Sequence, residues 1–235
     1  MGSMLERPYI VAGDSVFILL LLFALSLLSV IVYQSRRQIV HNLRYFFRRE
    51  RKYAERGVVT KNFWLNTAVL IFISAFTVSL SVFDELVHRS GFSPTLNVPY
   101  WVLVILVLLF SGFIYLKLYL YNVVNWTFFD IESSRHWTTS YLFITSLCSF
   151  PCYAIILLEL YSDISPQIVL FCYAFLTFLY EILLIFKLFI NFQIKKYGAI
   201  FIFLYLCSVE LVPNILLWRF LQWASDVFIE ANVLY

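Results

Sequence analysis

The chain has 235 residues, of which 62% are hydrophobic and 20% aromatic, and its mean hydropathy is +0.85. Only 13% are charged, with 17 Lys and Arg against 14 Asp and Glu, for a formal net charge of +3. This composition excludes a soluble domain as the body of the chain and points to a protein built within a membrane.

Six stretches are apolar for about 20 residues each, the length that a rise of ~1.5 Å per residue needs to cross a hydrocarbon core about 30 Å thick. They are Ser15–Tyr33, Phe63–Phe83, Pro99–Tyr121, Thr138–Leu160, Pro166–Phe192 and Tyr197–Gln222. The pattern predicts one all-α membrane domain over residues 1–235, a bundle of about six transmembrane helices. Barrel strands are excluded, because they alternate apolar and polar residues. Here Val16–Ile31 is apolar throughout except for Ser26 and Ser29.

Boundary residues support several ends. Asp14-Ser15 can cap the first span, and Ser165 precedes Pro166 at a first helical position. Asn97 can cap the third span with Pro99 in its first turn, and Gly57 can end the helical stretch after the first span. The flank before the first span has Arg7 against Glu6 and Asp14, so it lacks the basic region of a signal peptide. Glu6 also stands where a myristoylation signal needs Ser or Thr.

Residues 34–61 form a basic loop. It holds Arg36, Arg37, Arg44, Arg48, Arg49, Arg51, Lys52, Arg56 and Lys61. Lys117, Arg135, Lys187, Lys195 and Lys196 fall on the same side, making 14 of the 17 basic residues, against Arg7, Arg89 and Arg219 opposite. The positive-inside rule then places both termini outside the cytoplasm. Within Gln34–Arg56, Ile39, Val40, Leu43, Phe46 and Phe47 share one helical face. Arg37, Arg44, Arg48 and Lys52 lie around it, the pattern of an amphipathic helix at the lipid interface. Its expected partners are anionic headgroups at the cytoplasmic face, or an acidic protein. Nucleic acid is not expected, because no recognition fold surrounds the charges.

Two acids lie deep inside spans. Glu181 is 11 residues from Phe192 and Glu210 is 13 from Tyr197, depths of about 17 and 20 Å at ~1.5 Å per residue. A short connection makes these spans antiparallel neighbours, so the two carboxyls are expected to face each other, at least one of them protonated. Asn214 follows Glu210 by one turn, and Pro213 can kink the helix. Lys187 lies nearer the cytoplasm and is expected to snorkel or to pair with an acid. This intramembrane set, Glu181, Glu210, Asn214 and Lys187, suits either a proton or ion site or hydrogen bonds that hold the bundle together.

Ser74, Thr77 and Ser81 form a small-residue stripe on the second span, and Thr145, Ser149 and Cys152 do so on the fourth, where Pro151 can kink the helix. The loop from Asn125 to Trp137 carries Trp126, Asp130, Glu132, Arg135 and His136. Its aromatics read as an interfacial belt, its polar groups as a possible cytoplasmic-face site. Cys148, Cys152, Cys172 and Cys207 lie within spans and read as packing residues. No metal spacing, phosphate loop or hydrolase motif occurs, so no metal, cofactor or catalytic residue is assigned.

The run Phe203–Pro213, with Tyr205, Leu206, Cys207, Glu210 and Pro213, resembles a family of bacterial multi-pass membrane proteins. So does the run Trp137–Pro151. The family is catalogued as domain of unknown function 4271, and the resemblance covers roughly residues 60 to 225. It implies a bacterial inner-membrane location and supplies no activity. The leading expectation is a non-catalytic accessory or scaffold component of an envelope assembly. The alternative is a small transporter or proton-coupled carrier using Glu181 and Glu210. A third reading is a lipid-modifying enzyme with its site in residues 125–137.

Overall fold

A computed structural model describes residues 13–46, 63–90, 100–128, 131–162, 164–191 and 207–233. Its helices are α1 (Ser15–Phe46), α2 (Phe63–Ser90), α3 (Tyr100–Phe128), α4 (Ile131–Leu147), α5 (Ser149–Tyr161), α6 (Pro166–Asn191) and α7 (Val212–Val233). A π-turn, Cys207–Leu211, leads into α7. No strand occurs among the described residues. Among the described residues, five helical stretches are long and apolar enough to cross a membrane: Ser15–Arg37, Trp64–Val87, Tyr100–Val124, Trp137–Tyr161 and Pro166–Phe189. The first half of the expected sixth span lies outside the described residues.

The Asp14 cap forms as the sequence suggests. Its Oδ1 accepts the Val16 N–H at 3.0 Å, satisfying one orphan donor of the first turn. Its Oδ2 accepts the Tyr100 hydroxyl at 2.8 Å, which ties the start of α1 to the start of α3. No Gly or Pro interrupts Tyr33–Phe46, and α1 runs unbroken across Gln34 for 32 residues in all. The first part of the basic stretch therefore continues the first span without a break. Residues 47–62 lie outside the described part.

The fourth span is divided. Pro151 has no N–H, so the Leu147 carbonyl lacks its usual donor four residues on. The ladder loosens there: the Cys148 N–H is shared between the Ile144 and Thr145 carbonyls at 3.3 and 3.2 Å. A one-residue turn at Cys148 separates α4 from α5.

Helix α2 is central, packing on α1, α3, α4, α5 and α7. In its most apolar window 67% of residues are buried, against 11% for α6. That contrast makes α6 a perimeter helix, and its outward side chains include Phe171, Phe175 and Phe178. Such a surface suits lipid, not water. The close approach to α2 is made possible by small hydroxyl residues. Ser74 donates to the Ile71 carbonyl at 2.7 Å, Thr77 to Ser74 at 3.0 Å and Ser79 to Ala75 at 2.6 Å. Each polar group is satisfied within its own helix, so its face can press against a neighbour. Ser81 differs: its hydroxyl crosses to the Glu159 carboxylate on α5. Ser35 near the other end of the span is buried and accepts Asn66 Nδ2 at 2.7 Å, joining α1 to α2.

Two apolar clusters fill the bundle. One joins Phe17 and Leu21 of α1, Phe76, Leu80 and Phe83 of α2, Leu103 of α3 and Ile156 of α5. The other joins Tyr121 of α3, Trp137, Tyr141 and Ile144 of α4, Leu184 and Leu188 of α6, and Val209 of the π-turn. The second cluster surrounds the charged groups.

Candidate functional site

Helix α3 is apolar almost throughout, and Lys117 stands in its interior, 11 residues before its last residue, Phe128. Lys117 is only 4% exposed. Tyr121 follows one turn later, on the same face of the helix. Both side chains reach the π-turn. The Lys117 ammonium forms an ion pair with Glu210 Oε2, and the Tyr121 hydroxyl donates to Glu210 Oε1. Glu210 has no exposed surface at all. Both carboxylate oxygens thus have a donor, the condition under which a buried charge can be held.

The walls are aromatic. The Tyr121 ring lies 4.8 Å from that of Tyr141 and 5.4 Å from that of Trp137, the latter edge-on. Lys117 Nζ lies 5.4 Å from the centre of the Phe113 ring, a cation–π contact. On the α6 side the Tyr180 hydroxyl is 3.3 Å from Thr145 Oγ1 and lies beside the Tyr141 hydroxyl. Glu181, the next residue, accepts Asn214 Nδ2 on its Oε1 at 2.8 Å. Its Oε2 is buried and has no hydrogen-bond partner among the described residues. Glu181 is close enough to feel the charges of both Glu210 and Lys117.

Glu181 and Asn214 are joined directly, and Glu210 lies one turn before Asn214 on the same segment. Each carboxyl meets another partner first: Glu210 takes Lys117 and Tyr121, and Glu181 takes Asn214. Asn214, one turn beyond Glu210, bridges to α6. The ammonium at Glu210 belongs to Lys117, not to Lys187, which is half-buried six residues beyond Glu181. The sequence groups Lys117 with the basic residues of the cytoplasmic side, and its burial corrects that placement. The helix runs past its expected end at Tyr121 to Phe128, so Lys117 stands 11 residues from that end, as Glu181 stands 10 from Asn191.

Trp137 is a second correction. It was read as part of an interfacial belt, yet it is fully buried against Tyr121, because α4 has already begun at Ile131 and carries it into the bundle. Trp126 remains 84% exposed. Asp130 and the side chains of Asn125, Glu132, Arg135 and His136 lie outside the described residues, as do Arg48 and Lys52. Arg37 and Arg44 are exposed on α1. Pro213 is the second residue of α7, directly after the π-turn. Cys148, Cys152 and Cys172 are free thiols, and no group of metal-binding side chains occurs among the described residues.

A sequence model of the family described as domain of unknown function (DUF4271) matches residues 17–221. The chain belongs to this family. The match takes in Lys117, Tyr121, Glu181, Glu210 and Asn214 together. No curated protein and no solved structure matches the chain.

Proposed function

We propose that this DUF4271 protein is a small proton-coupled membrane carrier whose working centre is Lys117, Tyr121 and Glu210 beside Glu181 and Asn214. The observation that carries this reading is the complete ion pair enclosed among apolar helices. Desolvating two charges costs about as much as their attraction returns, and apolar residues of equal volume commonly serve stability as well or better. A charge pair at that depth is better explained by a task that needs charge, such as taking up and releasing a proton. The hydroxyls of Tyr121, Tyr141, Tyr180 and Thr145 line the surroundings and can relay one. Glu210 also sits in a π-turn, a geometry frequent at functional positions within helices.

In this reading Tyr197–Gln222 is the sixth span and both termini lie outside the cytoplasm of a bacterial inner membrane. Moving Lys117 into the interior leaves 13 basic residues against 3, so the sidedness argument stands. Arg37, Arg44, Arg48 and Lys52 then meet anionic headgroups on the cytoplasmic face.

The test is charge movement. The whole chain, reconstituted in vesicles adsorbed on a solid-supported membrane, should give a transient current on a pH jump. Glu210→Gln and Lys117→Met should abolish it. Wild-type current in the folded Glu210→Gln variant would refute the reading.

A second reading, a non-catalytic accessory or scaffold component of an envelope assembly, is favoured by the complete enclosure of Glu210. It expects no pH-jump current from any variant and co-purification of a partner in mild detergent.

A further inference from the structure

The centre contains one ammonium and two carboxyls. Lys117 balances a single negative charge, so a low-dielectric pocket favours one carboxylate and one protonated carboxyl. Both oxygens of Glu210 are engaged, whereas Oε2 of Glu181 is buried and open among the described residues. Asn214 holds the other oxygen of Glu181 and starts only four residues after Glu210 on the same chain segment. The second carboxyl is therefore held beside the first, within the electrostatic reach of Lys117.

We propose that Glu181 is an alternate counter-ion of Lys117, so that the lysine exchanges between two carboxyls as one proton moves between them. The inference rests on the proton-handling reading above and specifies its mechanism. In the state described, the Glu210 carboxylate pairs with Lys117 and Glu181 carries the proton. In the other state Glu181 has lost its O–H proton and Glu210 has gained one. The Lys117 ammonium keeps its three protons and meets Oε2 of Glu181. One O–H bond breaks, one forms, and the net charge of the centre is unchanged.

The groups facing the pair come from every wall: Lys117 and Tyr121 on α3, Tyr141 and Thr145 on α4, Tyr180 on α6 and Asn214 on α7. Among the described residues none of these neighbours carries a carboxyl, and in the proposed exchange the proton passes between the glutamates directly or through these hydroxyls. In the proposed exchange the lysine follows it through rotation of its flexible four-carbon stem.

The experiment is infrared spectroscopy of the whole chain in lipid nanodiscs at neutral pH. The wild type should show a protonated-carboxyl band that Glu181→Gln removes. In Glu210→Gln, Glu181 is the remaining counter-ion and must ionise. That variant should lack the band, and adding Glu181→Gln to it should remove a carboxylate band instead. Persistence of the Glu181 carboxyl band in Glu210→Gln would overturn the exchange. Should Glu210→Gln not fold, Tyr121→Phe removes one donor from Glu210 and should weaken the same band, and an unchanged band there counts against the proposal. Loss of the pH-jump current in Glu210→Gln together with a persistent Glu181 band would reject the exchange while leaving the proton-handling reading in place.

Discussion

Lys117→Met leaves the Glu210 carboxylate with Tyr121 as its only remaining donor of the two, in a pocket without exposed surface. Removing one partner of a buried ion pair costs about 3–5 kcal/mol, because the survivor is an uncompensated charge. Glu210→Leu strands the ammonium instead, with the face of Phe113 as its compensation, worth about 2 kcal/mol when desolvated. It should therefore fall in the same range or slightly below. The double variant Lys117→Met/Glu210→Leu removes both charges and fills the space with apolar groups of similar size. Such replacements are commonly neutral, or stabilising by about 1–4 kcal/mol. Two changes that are each damaging should thus combine to less than either alone. The assay is unfolding in mixed micelles of a mild and a denaturing detergent, followed by helical circular dichroism on all four proteins. A double variant whose loss equals the sum of the single losses, about 6–10 kcal/mol, would refute a desolvated ion pair as the basis of the coupling.

Asn214→Ala removes the donor to Glu181 and should lower stability by about 0.6–2 kcal/mol in the same assay, the scale of interhelical hydrogen bonds in membranes. Asp14→Ala removes both the α1 cap and the bond from Tyr100, and should cost about 0.5–2 kcal/mol, whereas Tyr100→Phe should cost less. Sidedness can be tested with single cysteines at the exposed positions Arg37 and Ser162 in a chain lacking its native cysteines. A membrane-impermeant maleimide on intact cells should label Ser162→Cys and spare Arg37→Cys, and the reverse pattern would invert the topology. Replacing Arg37, Arg44, Arg48 and Lys52 with Gln should weaken retention of anionic lipid by about 1 kcal/mol per residue. Equal retention of neutral and anionic lipid by the unaltered protein would remove the electrostatic role.

Much of this architecture can be read in the chain because span length and hydropathy act over 20 residues at a time. The first five spans begin and end within a few residues of their apolar runs. The Asp14 cap was legible because capping is local, and so was the weakness around Pro151, which one missing N–H creates. Counting along the spans flags Glu181 and Glu210 as interior acids. It does not give their partners, because pairing depends on which helices pack side by side. Lys117 was misplaced for this reason: near the end of an expected span, a lysine that snorkels and one that turns inward look alike in sequence. Trp137, Tyr141 and Tyr180 were hidden in the same way, since 20% of the chain is aromatic and sequence alone does not separate walls of a site from lipid-facing rings. Ser81 and Glu159 make the same point: an acid next to the end of the expected fourth span pairs with a hydroxyl on a neighbouring helix.

The central claim is that a proton can reach and leave the enclosed Glu210. Its most direct test is the infrared difference spectrum of the whole chain between acid and neutral pH, in Glu181→Gln and in Glu181→Gln/Glu210→Gln, both in lipid nanodiscs. The expected result is a carboxylate signal that converts to protonated carboxyl on acidification in the single variant and is absent from the double variant. The same difference spectrum in both proteins, with the double variant folded and stable, would contradict the claim and leave the Lys117–Glu210 pair as a structural tie.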